Sequence, residues 1–155
     1  VAFIYLEPKI SPKLNQLSLG VKLLLAILIP IGLFLLGTLL FPIAGVDPEM
    51  YVQAGLEVPQ KFADSGGFAQ ASGALLGFWT AYILENEYVD YQPSELDNKW
   101  KAINHIVGIA ILLVLYVGLD MILRGNVILR FSRYLIVSFI LVLLVPMLFK
   151  KINPA

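Results

Sequence analysis

Cysteine is absent from this 155-residue sequence, and histidine occurs only once. The missing thiols exclude disulfides, thiolate metal sites and thiol nucleophiles. Charged residues are also few, at 14% of the chain, and 11 basic side chains balance 11 acidic ones. Because this balance leaves no excess of basic charge to attract a polyanion, nucleic acid is not an expected partner.

Apolar residues dominate the rest of the composition. They make up 59% of the chain and raise its mean hydropathy to +0.82, whereas soluble domains are about 45–50% apolar and about 25% charged. A soluble protein of this size could not bury that much apolar surface. We therefore expect an all-α integral membrane protein that crosses the cell membrane several times and has the lipid bilayer as its surroundings.

Four apolar segments predict four transmembrane helices, at about 17–41, 68–84, 102–123 and 131–149. About 20 helical residues cross the hydrocarbon core, so the second segment is near the lower limit of length. Residues 17–155 are expected to form a four-helix membrane bundle with short interfacial segments, one starting at Asp47-Pro48-Glu49. Residues 1–16 are expected to be the end of a preceding helix and a cytoplasmic linker, as in a fragment of a longer polypeptide.

Small residues recur along one face of the second span. Ala69, Gly73 and Gly77 are spaced four residues apart, and this spacing lets helix backbones approach closely in lipid. The face is therefore expected to pack against another helix, with ligand contact as the alternative. Pro30 lies in the middle of the first span and predicts a packing kink, with a functional hinge as the alternative.

The distribution of lysine and arginine predicts the orientation. Seven basic residues fall on the side that holds both chain ends, and four fall on the other side. Since basic residues favour the cytoplasmic side, both termini are expected in the cytoplasm. The polar segment 85–101 carries five carboxylates without calcium-loop spacing and is expected to be a solvated loop.

The candidate intramembrane polar residues are Asn104, His105 and Asp120 in the third span and Arg124 directly after it. Arg124 follows Asp120 by four residues, so a local ion pair at the membrane interface is expected. His105 is either a base or metal ligand or, more simply, an interfacial residue or a donor between helices. His105 and Asp120 are about 22 Å apart along one helix and cannot form a dyad within one chain. No catalytic residue, metal site or cofactor is therefore assigned.

Several stretches resemble archaeal and bacterial membrane proteins of the PAP2 (phosphatidic acid phosphatase type 2-like) superfamily. These stretches are Y-L-E-P-K at 5–9, G-F-A-Q-A-S-G at 67–73, L-E-N-E-Y-V at 84–89, R-Y at 133–134 and V-P-M-L-F-K at 145–150. They are similar to the C-terminal transmembrane region that follows the catalytic bundle in some members of the superfamily. The resemblance covers most of the chain.

The catalytic motifs of that superfamily, as the resemblance implies them, are K-x6-R-P, P-S-G-H and S-R-x5-H-x3-D. None occurs in this sequence. No arginine is followed directly by proline, and the single histidine, His105, follows Asn104 rather than P-S-G. No histidine lies after Ser132-Arg133. The resemblance therefore implies a phosphatase in the parent protein but carries no catalytic residue over to this chain.

Three functions remain open at this point. The resemblance favours a non-catalytic C-terminal bundle of a PAP2-like lipid phosphate phosphatase, which packs against the upstream catalytic bundle or other copies of itself. A second hypothesis is a small oligomeric channel or transporter lined by Asn104, His105 or Asp120. A third is a structural subunit of a larger membrane complex.

Overall fold

The structure, a computed structural model, describes residues 16–40, 53–55, 66–123 and 126–153. Of the described residues, 88% are helical and none lies in a strand, which confirms the all-α membrane fold. Four long helices account for this content: α1 (Leu19–Leu40), α2 (Gly66–Leu84), α3 (Asn98–Ile122) and α4 (Val127–Ile152).

Three of these helices, α1, α3 and α4, are long and apolar enough to cross a bilayer by length and composition. The remaining helix, α2, is 19 residues long and is less apolar, because it contains glutamine, glycine, serine and threonine. Helix α2 corresponds to the predicted short span at 68–84. It is the least apolar of the four predicted spans and, as described below, the most enclosed.

Helix α4 begins four residues earlier than the predicted span. The Asn126 side chain accepts a hydrogen bond from the backbone N–H of Leu129 at 2.9 Å, which satisfies one of the open donors of the first turn. The earlier start places Arg130 inside the helix rather than in the connection, and Arg133 lies in the second turn, within the predicted span. Arg133 is therefore held at a fixed position on a helix face.

Two π-helical turns interrupt the regular α-helical pattern. One, at Glu85–Val89, extends α2 and ends at Asp90, whose φ of 48° is left-handed. The other occupies Ile140–Leu144 within α4, directly before Pro146. Because proline has no N–H and its ring clashes with the carbonyl four residues earlier, a wider turn at this point lets the helix continue past Pro146.

Helix α2 lies between α1 and α4, with its most extensive contacts on α4. Helix α1 buries its small residues Ala26, Pro30 and Gly37, and a Cβ added at Gly37 would overlap the Phe68 ring of α2. Helix α3 touches α4 only over short stretches, and none of its residues is buried. The bundle is thus a packed row of α1, α2 and α4, with α3 attached to α4 at one side.

Three sequence predictions fall outside the described residues. They are the preceding helix and most of the linker at 1–16, the interfacial helix at Asp47-Pro48-Glu49, and the Arg124 side of the Asp120–Arg124 pair. Pro30 is described: its side chain is fully buried within the uninterrupted helix α1. This placement agrees with a packing role, and the functional hinge stays an untested alternative.

Candidate functional site

Helices α2 and α4 approach each other closely along a seam of small residues. A Cβ built on Gly73 would overlap the backbone oxygen of Phe131, and one built on Gly77 would overlap that of Leu135. Ala69, one turn before Gly73, has no exposed surface. The structure therefore brings the three predicted small residues together on the buried side of α2, where backbone meets backbone.

Two hydroxyl groups in the same helix are satisfied without leaving it. Ser72, which is 1% exposed, donates to the backbone carbonyl of Phe68, one turn earlier. Thr80 donates to the carbonyl of Leu76 at 2.6 Å. Because both hydroxyls donate to carbonyl groups of α2 itself, neither needs a hydrogen-bond partner on α4. Their side chains are also small enough to allow close helix packing.

An ion pair between a half-buried aspartate and a buried arginine joins α3 to α4. Asp120 contacts the guanidinium of Arg133, whose side chain is 9% exposed, compared with 33% for the Asp120 side chain. The rings of Tyr116 and Tyr134 flank the same guanidinium, with centroids 5.7 and 5.0 Å from its central carbon. A cation in this setting is neutralised by the carboxylate and stabilised further by the ring faces.

This pair differs from the one expected from the sequence. The i, i+4 spacing predicted Arg124 as the partner of Asp120, and the side chain of Arg124 is outside the described residues. The structure adds a partner from the neighbouring helix. Asp120 thus ties two helices together, and no described contact gives its carboxylate a substrate-facing role.

A second polar cluster lies at the opposite end of α3. The hydroxyl of Tyr91, in the loop after α2, accepts hydrogen bonds from the side-chain amides of Asn104 at 2.7 Å and Asn153 at 3.2 Å. The Tyr91 ring also lies 6.3 Å from that of Phe149. We call this cluster the tyrosine clamp, since one loop residue connects α3 to the end of α4.

Two further contacts hold the loop in place for the clamp. The Glu85 carboxylate accepts a hydrogen bond from the backbone N–H of Tyr91 at 2.9 Å, and Lys150 donates to the backbone carbonyl of Val89. Both contacts satisfy backbone groups released where the π-turn after α2 ends. The segment predicted as a solvated loop is largely exposed, but its first part is fixed to α4.

His105 lies beside Asn104 but is not part of the clamp. It is exposed and lines a groove of about 230 Å³ between α3 and α4, together with Asn104, Gly108, Leu112, Leu141 and Val145. His105 and Asp120 are not brought together, as their separation along α3 requires. Among the described residues, no group of three or more His, Asp or Glu side chains could hold a metal ion.

Sequence reasoning missed three residues that the structure places at these contacts. Ala81 continues the four-residue spacing of the seam and is fully buried, so the same pattern could have found it. Arg133 could have been found as a partner of Asp120, since the two residues flank a short antiparallel connection. Tyr91 gives no local signal, because it is 62 residues from its partner Asn153.

Comparison with known proteins agrees with the resemblance noted from the sequence. No curated protein and no solved structure matches the chain. The family model of the PAP2 superfamily phosphatase transmembrane extension matches residues 69–155, which is more than half of the chain and includes most of α2 and all of α3 and α4. The chain therefore belongs to the family of transmembrane extensions of PAP2 superfamily phosphatases.

Proposed function

We propose that this chain is the non-catalytic membrane bundle of a PAP2-like lipid phosphate phosphatase, and that α1 packs it against the catalytic bundle of the same polypeptide. The seam between α2 and α4 supplies a rigid base for this role, because no side chain in it can rotate out of the contact. The chain itself supplies no hydrolytic chemistry in this proposal.

The observation that carries the proposal is an exposed apolar face on α1. Leu24, Leu28, Ile31 and Leu35 follow one another at intervals of four, three and four residues, and all are exposed. This is the spacing of a coiled-coil seam, which membrane bundles also use. The face lies on the side of α1 opposite its buried residues Ala26, Pro30 and Gly37.

Cysteine cross-linking tests this face directly, because the chain has no cysteine of its own. Leu35→Cys lies on the proposed face, and Leu36→Cys is a matched control, since the two leucines are 51% and 54% exposed but about 100° apart around the helix. With a cysteine introduced in the catalytic bundle, Leu35→Cys is expected to cross-link and Leu36→Cys is not. Equal cross-linking from both positions would refute the proposed face, and cross-linking between two copies would assign it to oligomerisation instead.

A phosphate-release assay tests the non-catalytic part of the proposal. The purified chain in vesicles that contain a lipid phosphate is expected to release no phosphate above the protein-free background. Release that depends on the concentration of the chain would show that catalytic groups lie within it. A sample of the intact phosphatase in the same vesicles serves as the positive control.

The orientation belongs to the same proposal. Lys150 and Lys151 end α4, and Lys99 and Lys101 begin α3, so the antiparallel arrangement groups these lysines at one end of the bundle. That end is proposed to face the cytoplasm. A Lys151→Cys variant is expected to react with a membrane-impermeant maleimide only after the membrane is opened, and labelling of intact cells would reverse the orientation.

The channel hypothesis has less support than the packing role. Asn104 donates to Tyr91, and Asp120 is paired with Arg133. These contacts account for both residues without an ion pathway through the bundle.

A further inference from the structure

Helix α3 is tied to α4 at its two ends and touches it only over short stretches between them. The tyrosine clamp holds the end that contains Asn104, and the ion pair with Arg133 holds the end that contains Asp120. The two attachment points are 16 residues apart along α3, which is about 24 Å. The apolar groove lies within this stretch, nearer the clamp.

The groove is open because α3 presents little side-chain volume to α4 there. Gly108 lines it, and a Cβ added at Gly108 would meet nothing within 4 Å. On the other side, Leu141 lies in the π-turn of α4, and Val145 follows it. Since both ends of α3 are fixed, the helices cannot close the gap by a simple approach.

The lining changes from polar to apolar along the helix. Asn104 and His105 line the outer part of the groove, and Gly108 and Leu112 line its inner part. Lys101, one turn before His105 on the same face of α3, lies outside the groove. Its ammonium donates to the backbone carbonyl of Ser94 at 3.0 Å, which leaves two N–H groups for another acceptor. Trp100 is an aromatic residue typical of the membrane interface. His105 lies about 8 Å below it, and the groove continues from there toward the middle of the bilayer.

We propose that this groove binds one acyl chain of an anionic membrane phospholipid, with the headgroup at Lys101 and His105. The sequence of a basic group, an imidazole and then apolar side chains matches the order of phosphate, ester and acyl chain in the lipid. Among the described residues His105 has no hydrogen-bond partner. Its ring can therefore donate to a lipid oxygen at the mouth of the groove.

The groove is shallow and open along its outer side. A flexible acyl chain can follow such a surface without an enclosed cavity. Water is a poor occupant, because the inner part of the groove is apolar. A protein helix laid against the groove is distinguished by the cross-linking outcome below.

A photoreactive phospholipid tests the proposal. The chain is reconstituted in phosphatidylcholine vesicles that contain a trace of phosphatidylglycerol with a diazirine in its acyl chain, and the labelled residues are mapped by mass spectrometry. Labelling is expected to concentrate at 108–112 and 141–145, above that at Val114, which is 72% exposed. Equal labelling at Val114 and in the groove would overturn the proposal.

Two glycines of α3 provide a matched pair of variants. Gly108→Leu fills the groove and is expected to reduce its labelling to the level at Val114. Gly118→Leu adds the same side chain to the same helix outside the groove, where a Cβ also meets nothing within 4 Å, and it is expected to keep the labelling. Unchanged thermal unfolding of both variants would show that the loss of labelling results from the leucine side chain filling the groove. Labelling that survives in Gly108→Leu would overturn the proposal.

A separate comparison tests the headgroup assignment. Lys101→Gln is expected to reduce groove labelling by the phosphatidylglycerol probe roughly fivefold, since one basic group near an anionic headgroup contributes about 1 kcal/mol. A phosphatidylcholine probe with the same diazirine is expected to be unaffected. An equal reduction for both probes would overturn the assignment of Lys101, and cross-links from the groove to a second protein chain would assign the groove to a protein partner.

Discussion

Adding one methyl group at Gly73 is expected to destabilise the bundle through its effect on the α2–α4 seam. In Gly73→Ala the new Cβ would overlap the Phe131 carbonyl oxygen and lie 3.0 and 3.2 Å from the Phe131 carbonyl carbon and Cα, whereas ordinary contacts are 3.4–4 Å. All three atoms are backbone, so no rotamer change relieves the overlap. The two helices must separate.

The magnitude follows from two opposing effects. Overpacking of a well-packed contact costs about 1–3 kcal/mol, and replacing a glycine within a helix by alanine returns about 1 kcal/mol of helix propensity. We expect Gly73→Ala to lower the free energy of unfolding by about 1 kcal/mol, within a range of about 0–2 kcal/mol. Gly67→Ala, in the same helix, meets nothing within 4 Å and is expected to raise it by up to about 1 kcal/mol.

The assay is equilibrium unfolding in mixed micelles with increasing denaturing detergent. Fluorescence of the two tryptophans, Trp79 in α2 and Trp100 in α3, reports the transition. The same chemical change at two positions of one helix should move the midpoint in opposite directions. Equal shifts for Gly73→Ala and Gly67→Ala would refute the close approach at the seam.

The polar ties of α3 and the end of the π-turn give three further expectations. Asp120→Ala leaves the buried Arg133 guanidinium without its carboxylate and should lower the free energy of unfolding by about 3 kcal/mol in the same assay. The double variant Asp120→Ala/Arg133→Met should recover most of that loss. Losses that simply add in the double variant would contradict the pairing. Tyr91→Phe keeps the ring but removes the hydroxyl shared by two amides, so we expect the free energy of unfolding to fall by about 1 kcal/mol. Amide hydrogen exchange should become faster in the loop at 90–97 and stay unchanged in α2, which serves as the control. Asp90→Gly removes a left-handed non-glycine residue and should stabilise the chain by about 0.5–1 kcal/mol; a destabilised variant would show that the hydrogen bond from Gln92 to the Asp90 carboxylate outweighs the backbone effect.

Hydropathy and spacing anticipated the helices and the face of α2 that lies in the seam. Long apolar runs are a strong signal because each must supply a full bilayer crossing. Hydropathy alone is misleading for α2, however. Small and polar residues lower its mean hydropathy, yet the small residues allow α2 to occupy the central position between α1 and α4. The four-residue spacing of these small residues was therefore the more informative signal.

The contacts of the polar residues could not be read from the sequence in the same way. Local spacing pointed from Asp120 to Arg124, while the partner found here, Arg133, depends on the register of α3 against α4. Tyr91 and Asn153 meet only after the whole bundle has formed. Register and loop placement depend on packing between helices, and a single sequence carries no direct record of either.

The π-turn of α4 lets the two parts of the helix keep their faces although the turn contains one residue more than a regular helix requires. Deleting one residue within Ile140–Leu144 would therefore restore a regular helix and leave both the seam and the contact between Phe149 and Tyr91 in place. Deleting one residue from the regular helix before the π-turn, after Leu135, would instead rotate Phe149 by about 100° away from Tyr91. Amide hydrogen exchange in the loop after α2 can distinguish the two deletions.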